Sequence, residues 1–138
     1  AEKLGKEFID TDEEIVRTAG KSIPEIFSED GEDAFRRLET KVLAEATAKS
    51  GRVIATGGGA VVRPENRNLL KQNGRIVLIE RGLDALSTEG RPLSSSEDAL
   101  RRLYEERQPI YRSLADIVIQ NVKSPAEAVT ALLEELSL

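Results

Sequence analysis

Arg52–Val53–Ile54–Ala55–Thr56 runs without a break into Gly57–Gly58–Gly59–Ala60, and this junction decides the architecture. The first half is a continuous apolar run of strand length, the pattern of a strand whose two faces are both covered by helices. The second half is three bare residues in succession, which lets backbone at the end of that strand approach a ligand with no Cβ in the way. A plain strand-to-helix connector needs only one glycine, so the triplet reads as a binding segment in preference to a connector.

Working outward, three more strand candidates stand at Glu7–Phe8–Ile9, Arg75–Ile76–Val77–Leu78–Ile79 and Asp116–Ile117–Val118–Ile119, separated by longer stretches of helical period. Strands alternating with helices predict an α/β fold with a parallel sheet and crossover helices. Thr11 with Glu14, Ser22 with Glu25, and Ser124 with Glu127 each have capping-box spacing, Gly20 offers a C-terminal stop, and Pro125 suits a first helical position. From Glu32 to Ser50, the repeat Phe35, Leu38, Val42, Leu43, Ala46 predicts a helix laying one apolar stripe on the sheet, with Arg36 and Glu39 off it. Further helices are expected from Pro64 to Asn73, from Glu97 to about Arg107 before Pro109, and at the end of the chain with Val129, Leu132, Leu133 and Leu136 inward. The stretch 82–96, rich in Gly, Ser and Thr, reads as a mobile surface loop, and residues 1–138 read as a single domain.

Composition removes whole classes of chemistry. The 138 residues carry 20 basic and 25 acidic side chains, a formal charge of −5, with no Cys and no His. Disulfides, thiolate zinc sites, thiol nucleophiles and imidazole bases are therefore excluded, and catalysis falls to Asp, Glu, Arg, Lys, Ser, Thr or backbone groups. Mild acidity argues against a nucleic-acid partner, and no apolar run approaches the roughly 20 residues of a membrane span. With neither span nor signal peptide, the cytoplasm is the expected location.

Within that restricted chemistry, Asp10 and Asp12 follow the first strand at a helix start, where one carboxylate suits a hydroxyl and the other metal-bound water. Helix capping is the competing reading for this segment. Arg36 and Glu39 lie one helical turn apart, so the carboxylate can hold the guanidinium as a fork for a carboxylate or phosphate; the competing reading is a solvated ion pair. Arg91 and Arg107 add cationic side chains. Gly20–Lys21–Ser22 imitates the end of a phosphate-binding loop, but Ile15 stands where its first glycine should be and no strand precedes it, so Ser22 is read as a helix cap.

Taken in order, Phe8–Ile9–Asp10–Thr11–Asp12, Ser22–Ile23–Pro24–Glu25–Ile26–Phe27, Phe35–Arg36–Arg37–Leu38–Glu39, Thr56–Gly57–Gly58–Gly59–Ala60, Gly90–Arg91–Pro92–Leu93 and Glu106–Arg107–Gln108–Pro109–Ile110–Tyr111 resemble the shikimate kinases, over essentially the whole chain. The resemblance implies a P-loop, nucleoside monophosphate kinase-like fold, three layers around a parallel sheet of order 2-3-1-4-5. It also implies ATP-dependent phosphorylation of the shikimate 3-hydroxyl, on the route to chorismate and the aromatic amino acids, with Mg2+ as the cofactor. Carried over by position, Asp12 meets the ring hydroxyls and takes the proton, Asp10 faces magnesium through water, and Arg36 and Arg107 grip the substrate carboxylate, with Glu39 orienting Arg36. Gly57, Gly58 and Gly59 line the substrate, Gly58 and Gly59 offering N–H groups. Arg91 closes over the phosphoryl group from the 82–96 lid, and Lys123, Ser124 and Pro125 lie near adenine. These roles suit phosphoryl transfer, which needs positioning and charge neutralisation and no histidine.

Two departures bear on the expectation. Residues 82–89 hold no basic side chain before Arg91. The family's opening strand, Walker A loop and helix have no counterpart after Ala1, so roughly 25 to 35 residues are expected upstream, and without them nucleotide binding and activity are expected to fail. The strand they contain is central in the family order, which predicts that the four visible strands fall into two pairs. A monomer, or one domain of a pathway fusion, is the expected setting. The alternatives are a shikimate-binding module without a phosphate loop, and a gluconate or nucleoside monophosphate kinase.

Overall fold

The structure, a computed structural model, describes residues 1–72, 74–80, 97–120 and 124–136. The chain divides into two compact units, Ala1–Gly74 and Arg75–Leu138, and each is described by itself.

In the first unit, β1 (Glu7–Asp10) pairs in parallel with β2 (Arg52–Ala55), Phe8 opposite Val53 and Asp10 opposite Ala55. Between them run α1 (Thr11–Ala19), α2 (Ile23–Glu29) and α3 (Glu32–Thr47); after β2 come a 3-10 turn over Gly58–Val61 and α4 (Pro64–Gln72). The capping of α1 differs by one residue from the expectation. Asp10, still extended at the strand end, is the N-cap and accepts from the Asp12 N–H at 2.9 Å. Thr11 is the first helical residue, its hydroxyl buried with no hydrogen-bond partner among the described residues, while Glu14 pairs with Arg17. The strand's own last residue already has the extended backbone an N-cap requires, which leaves Thr11 no capping role. Ser22 caps α2 as its spacing indicated, and Gly20 closes α1 in the left-handed region.

The core of this unit is largely helix on helix. Ile15 of α1, Ile26 of α2, and Phe35 and Val42 of α3 form one buried cluster, with Phe27 and Phe35 stacked at 4.7 Å. The α3 stripe thus closes on its neighbouring helices as well as lining the unit's interior, and it is wider than expected because Glu39 is buried with it. That burial is tolerable because Arg36 neutralises the carboxylate at 2.9 Å.

In the second unit, β3 (Val77–Glu80) pairs in parallel with β4 (Ile117–Gln120), each beginning later than the sequence suggests. Asp116 explains the shift, since its side chain accepts from the Ile76 N–H at 2.6 Å and closes the sheet's entry instead of joining the strand. The pairing β1–β2 and β3–β4 is the one that the 2-3 and 4-5 neighbours of the expected order require. The strands are less enclosed than continuous apolar runs predict: only β4 contributes fully buried residues, Ile117 and Ile119, whereas Phe8 and Ile79 are exposed. Both strands of a two-stranded sheet are edges, so fewer neighbours flank each side chain.

Helix α5 (Glu97–Leu114) runs through Pro109 instead of stopping at Arg107. An interior proline removes one backbone bond and costs ~3 kcal/mol. The turn beyond it is anchored from outside the helix: Arg112 donates to Glu80 from Nε at 3.0 Å and from Nη2 at 2.6 Å, and Gln108 donates to the same carboxylate. Helix α6 (Pro125–Leu136) packs on β4 with Leu132, Leu133 and Leu136 all partly buried, but Val129, expected inward, is 41% exposed. The predicted loop 82–96 lies outside the described residues, which resume at the start of α5.

Candidate active site

Strand β1 ends in Asp10 and strand β2 ends just before Thr56, and parallel pairing brings the segments beyond the two strands to the same edge of the sheet. Asp12, in the first turn of α1, and the Gly57–Gly59 segment therefore meet. A Cβ at Gly57 would stand 3.2 Å from Asp12 Oδ1 and 3.4 Å from Oδ2, so only a bare residue leaves the carboxylate undisturbed. Burial pushes the Asp12 carboxyl above its ordinary value, and the Asp10 charge adds to the rise.

Gly59 meets a second functional side chain. Arg36, from the first turns of α3, donates from Nη1 to the Gly59 carbonyl at 3.1 Å and to Glu39 Oε1 at 2.9 Å, with Glu32 at 3.8 Å from its Nε. A Cβ at Gly59 would stand 2.6 Å from Nη1 and 2.8 Å from Nη2, closer than any real contact. The Glu39 side chain is 2% exposed and the Arg36 side chain 15% exposed, so this is no solvated surface pair. The Arg36 guanidinium also lies 5.3 Å from the Phe35 ring centroid.

One strand edge thus gathers an acid with raised proton affinity, a guanidinium fixed by a buried carboxylate, and glycine backbone touching both. The glycine segment itself is tied down more thoroughly than its composition suggests. Besides Arg36 on the Gly59 carbonyl, Asn66 Nδ2 donates to the Ala60 carbonyl at 2.9 Å, and Arg67 donates to those of Val61 at 2.7 Å and Val62 at 3.2 Å. Sequence reasoning does not single out Asn66 or Arg67. An asparagine, a poor helix former, directly inside a predicted helix is the one local sign available.

The other candidates belong to the second unit or lie outside the described residues. Arg107 lies on α5 of the second unit, half-buried. Ser124 is the N-cap of α6, its hydroxyl accepting from the Glu127 N–H at 3.2 Å, and Pro125 is the first helical residue. Arg91 and Lys123 lie outside the described residues. For a divalent cation, the described residues hold no group of three or more His, Cys, Asp or Glu. The adjacent carboxylates of Asp10 and Asp12 fit magnesium nonetheless, because that ion takes one or two carboxylates and completes its shell with water and substrate phosphates.

The family model described as shikimate kinase matches residues 1–137. The chain belongs to the shikimate kinase family. Among related shikimate kinases, that of Burkholderia lata is 44% identical over 128 residues, covering 87% of this chain and 70% of the relative. The shikimate kinase of Acinetobacter baumannii, solved in complex with shikimate, superposes with a TM-score of 0.89 at 39% identity, over 99% of this chain and 80% of that one. The Aquifex aeolicus shikimate kinase gives 0.87 at 37% identity, over 98% and 83%. The α/β fold with parallel strands is that of the shikimate kinases. No helix among the described residues is long and apolar enough to cross a membrane.

Proposed function

We propose that the protein transfers the γ-phosphoryl group of ATP to the 3-hydroxyl of shikimate. The observation that carries this reading is the meeting of Asp12 and Arg36 with one stretch of glycine backbone, Asp12 beside Gly57 and Arg36 on Gly59, which supplies a base for a hydroxyl and a clamp for a carboxylate. A complex of the Acinetobacter baumannii relative with shikimate adds weight.

In this reading Asp12 accepts a hydrogen bond from the attacking hydroxyl and takes its proton as the O–P bond forms, a task suited to a carboxyl whose affinity for protons is already raised. Arg36 binds the ring carboxylate, Glu39 keeps the guanidinium from turning away, and Arg107 supplies the second cation. The backbone N–H groups of Gly58 and Gly59 face substrate and incoming phosphoryl group. Arg91 neutralises charge on that group, while Lys123, Ser124 and Pro125 border the adenine. Asp10 would hold magnesium through water; when bound, the ion would offset the negative charge of the phosphates.

A coupled assay on the native protein with ATP and shikimate, gluconate or AMP tests the proposal. Turnover of shikimate alone is the expected result. Turnover of gluconate or AMP in its place overturns the substrate, and calorimetric binding of shikimate with no response to ATP overturns the enzyme in favour of a binding module.

A further inference from the structure

Asn66, in the first turn of α4, is fully buried, and its amide is used at both ends. Nδ2 donates to the Ala60 carbonyl at 2.9 Å, and Oδ1 accepts from the Thr40 hydroxyl at 2.7 Å. Thr40 sits one turn beyond Arg36 on α3, and its hydroxyl also lies 3.0 Å from the Arg36 carbonyl. A chain of contacts results: Arg36 side chain to Gly59 carbonyl, across the peptide to the Ala60 carbonyl, to Asn66, and to Thr40, whose single hydroxyl proton lies between Asn66 Oδ1 at 2.7 Å and the Arg36 carbonyl at 3.0 Å. It joins α3, the glycine turn and α4, and none of the reactions ascribed to the site uses Asn66 or Thr40.

We propose that Asn66, acting through Thr40, is a positioning residue that sets the separation between the Arg36 guanidinium and the Gly57–Gly59 backbone, and hence the fit of the substrate ring. The inference rests on the shikimate reading above. An apolar residue would fill the same space without tying it, so the choice of a buried amide has to be explained by what it holds. A buried amide stripped of partners is costly, and here both of its ends are matched. What it holds is the peptide next to the one that Arg36 grips. Loss of the amide would free the Ala60 carbonyl and leave the Gly59 end of the turn tied to other elements only through Arg36, with Arg67 holding the far end at Val61 and Val62, so the glycine end and the guanidinium could shift together relative to Asp12. Displacements of about 1 Å from such remote changes cost up to about 100-fold in enzymes.

The test compares Asn66→Leu, Thr40→Val and Thr40→Ser in the native protein by KM for shikimate, KM for ATP, kcat and Tm. Expected are a rise in shikimate KM of about 10- to 100-fold for Asn66→Leu, a smaller rise for Thr40→Val, KM for ATP within about twofold, and recovery in Thr40→Ser, which restores the hydroxyl. Should Asn66→Leu fail to fold, the Thr40 pair decides. The proposal is overturned by parental shikimate KM in a folded Asn66→Leu or Thr40→Val, by equal rises in both KM values, or by Thr40→Ser behaving as Thr40→Val. A parent that turns over no shikimate overturns the functional reading itself, and that control is independent of every variant.

Discussion

Gly59 meets Arg36 in two ways at once: its carbonyl accepts from the guanidinium at 3.1 Å, and the place where its Cβ would stand is 2.6 Å from the same nitrogen. The glycine is therefore required both by what it offers and by what it omits. Gly59→Ala should push the guanidinium off Glu39, since the far end of a long side chain yields before backbone does. The backbone there is not in the left-handed region, so the loss of stability comes from the Glu39 carboxylate left buried without its counter-charge and should reach up to about 3–5 kcal/mol. Shikimate KM should rise at least about tenfold, as read from initial rates with ATP saturating.

Arg36→Ala removes the carboxylate clamp outright. Shikimate binding should weaken by about 2–5 kcal/mol in calorimetry, and Arg36→Lys should restore little, because an ammonium lacks the fork that Glu39 and a carboxylate share. An unchanged Michaelis constant for shikimate would remove Arg36 from the site.

Glu39 is the buried member of that pair. Glu39→Ala leaves a guanidinium in a largely desolvated position without its counter-charge, and the folded state should lose about 3–5 kcal/mol in denaturant titrations. Glu39→Gln keeps the acceptor and the shape, so its loss should be smaller while shikimate KM still rises.

Asp12 gives opposite signs for activity and stability. Its carboxyl binds protons more tightly in the folded protein than in the unfolded chain, chiefly through burial and secondarily through Asp10. Its contribution to stability is therefore favourable below about pH 4 and is lost as pH rises through the raised folded value. Asp12→Asn should have a higher Tm than the parent at pH 7, with the difference shrinking on acidification towards pH 4, while kcat falls by about 100-fold or more. Equal Tm values at both pH values would show that the carboxylate is not under strain.

Arg112→Met tests the anchor beyond Pro109. Without the guanidinium on Glu80, the last turn of α5 should fray, giving faster amide exchange over residues 110–114 and a loss of about 1–2 kcal/mol.

Legibility in the sequence tracks the range of the interactions. The strand runs, the helical periods and the caps at Ser22 and Ser124 depend on residues a few positions apart, and they are readable. The resemblance to shikimate kinases supplies the grouping of Asp12, Arg36 and the glycines, which spacing alone does not. The misread features depend on distant partners. Glu39 looks like a surface residue because its burial beside Arg36, which is itself fastened to the Gly59 carbonyl, arises only in three dimensions. Helix α5 looks finished at Arg107 because Glu80, which holds Arg112 beyond the proline, belongs to a strand far upstream. Asn66 carries almost no signal at all, since its partners at Thr40 and Ala60 come from two other elements.

The four successive carbonyls from Gly59 to Val62 are each held by a side chain. Glycine triplets ordinarily carry a large conformational entropy into the unbound state, and a ligand that freezes them forfeits part of its affinity. Here the last glycine of the triplet, Gly59, surrenders that freedom when the chain folds. If a substrate ring docks here, as proposed, it meets backbone from Gly59 to Val62 that is already held, so less ordering is left for binding to supply.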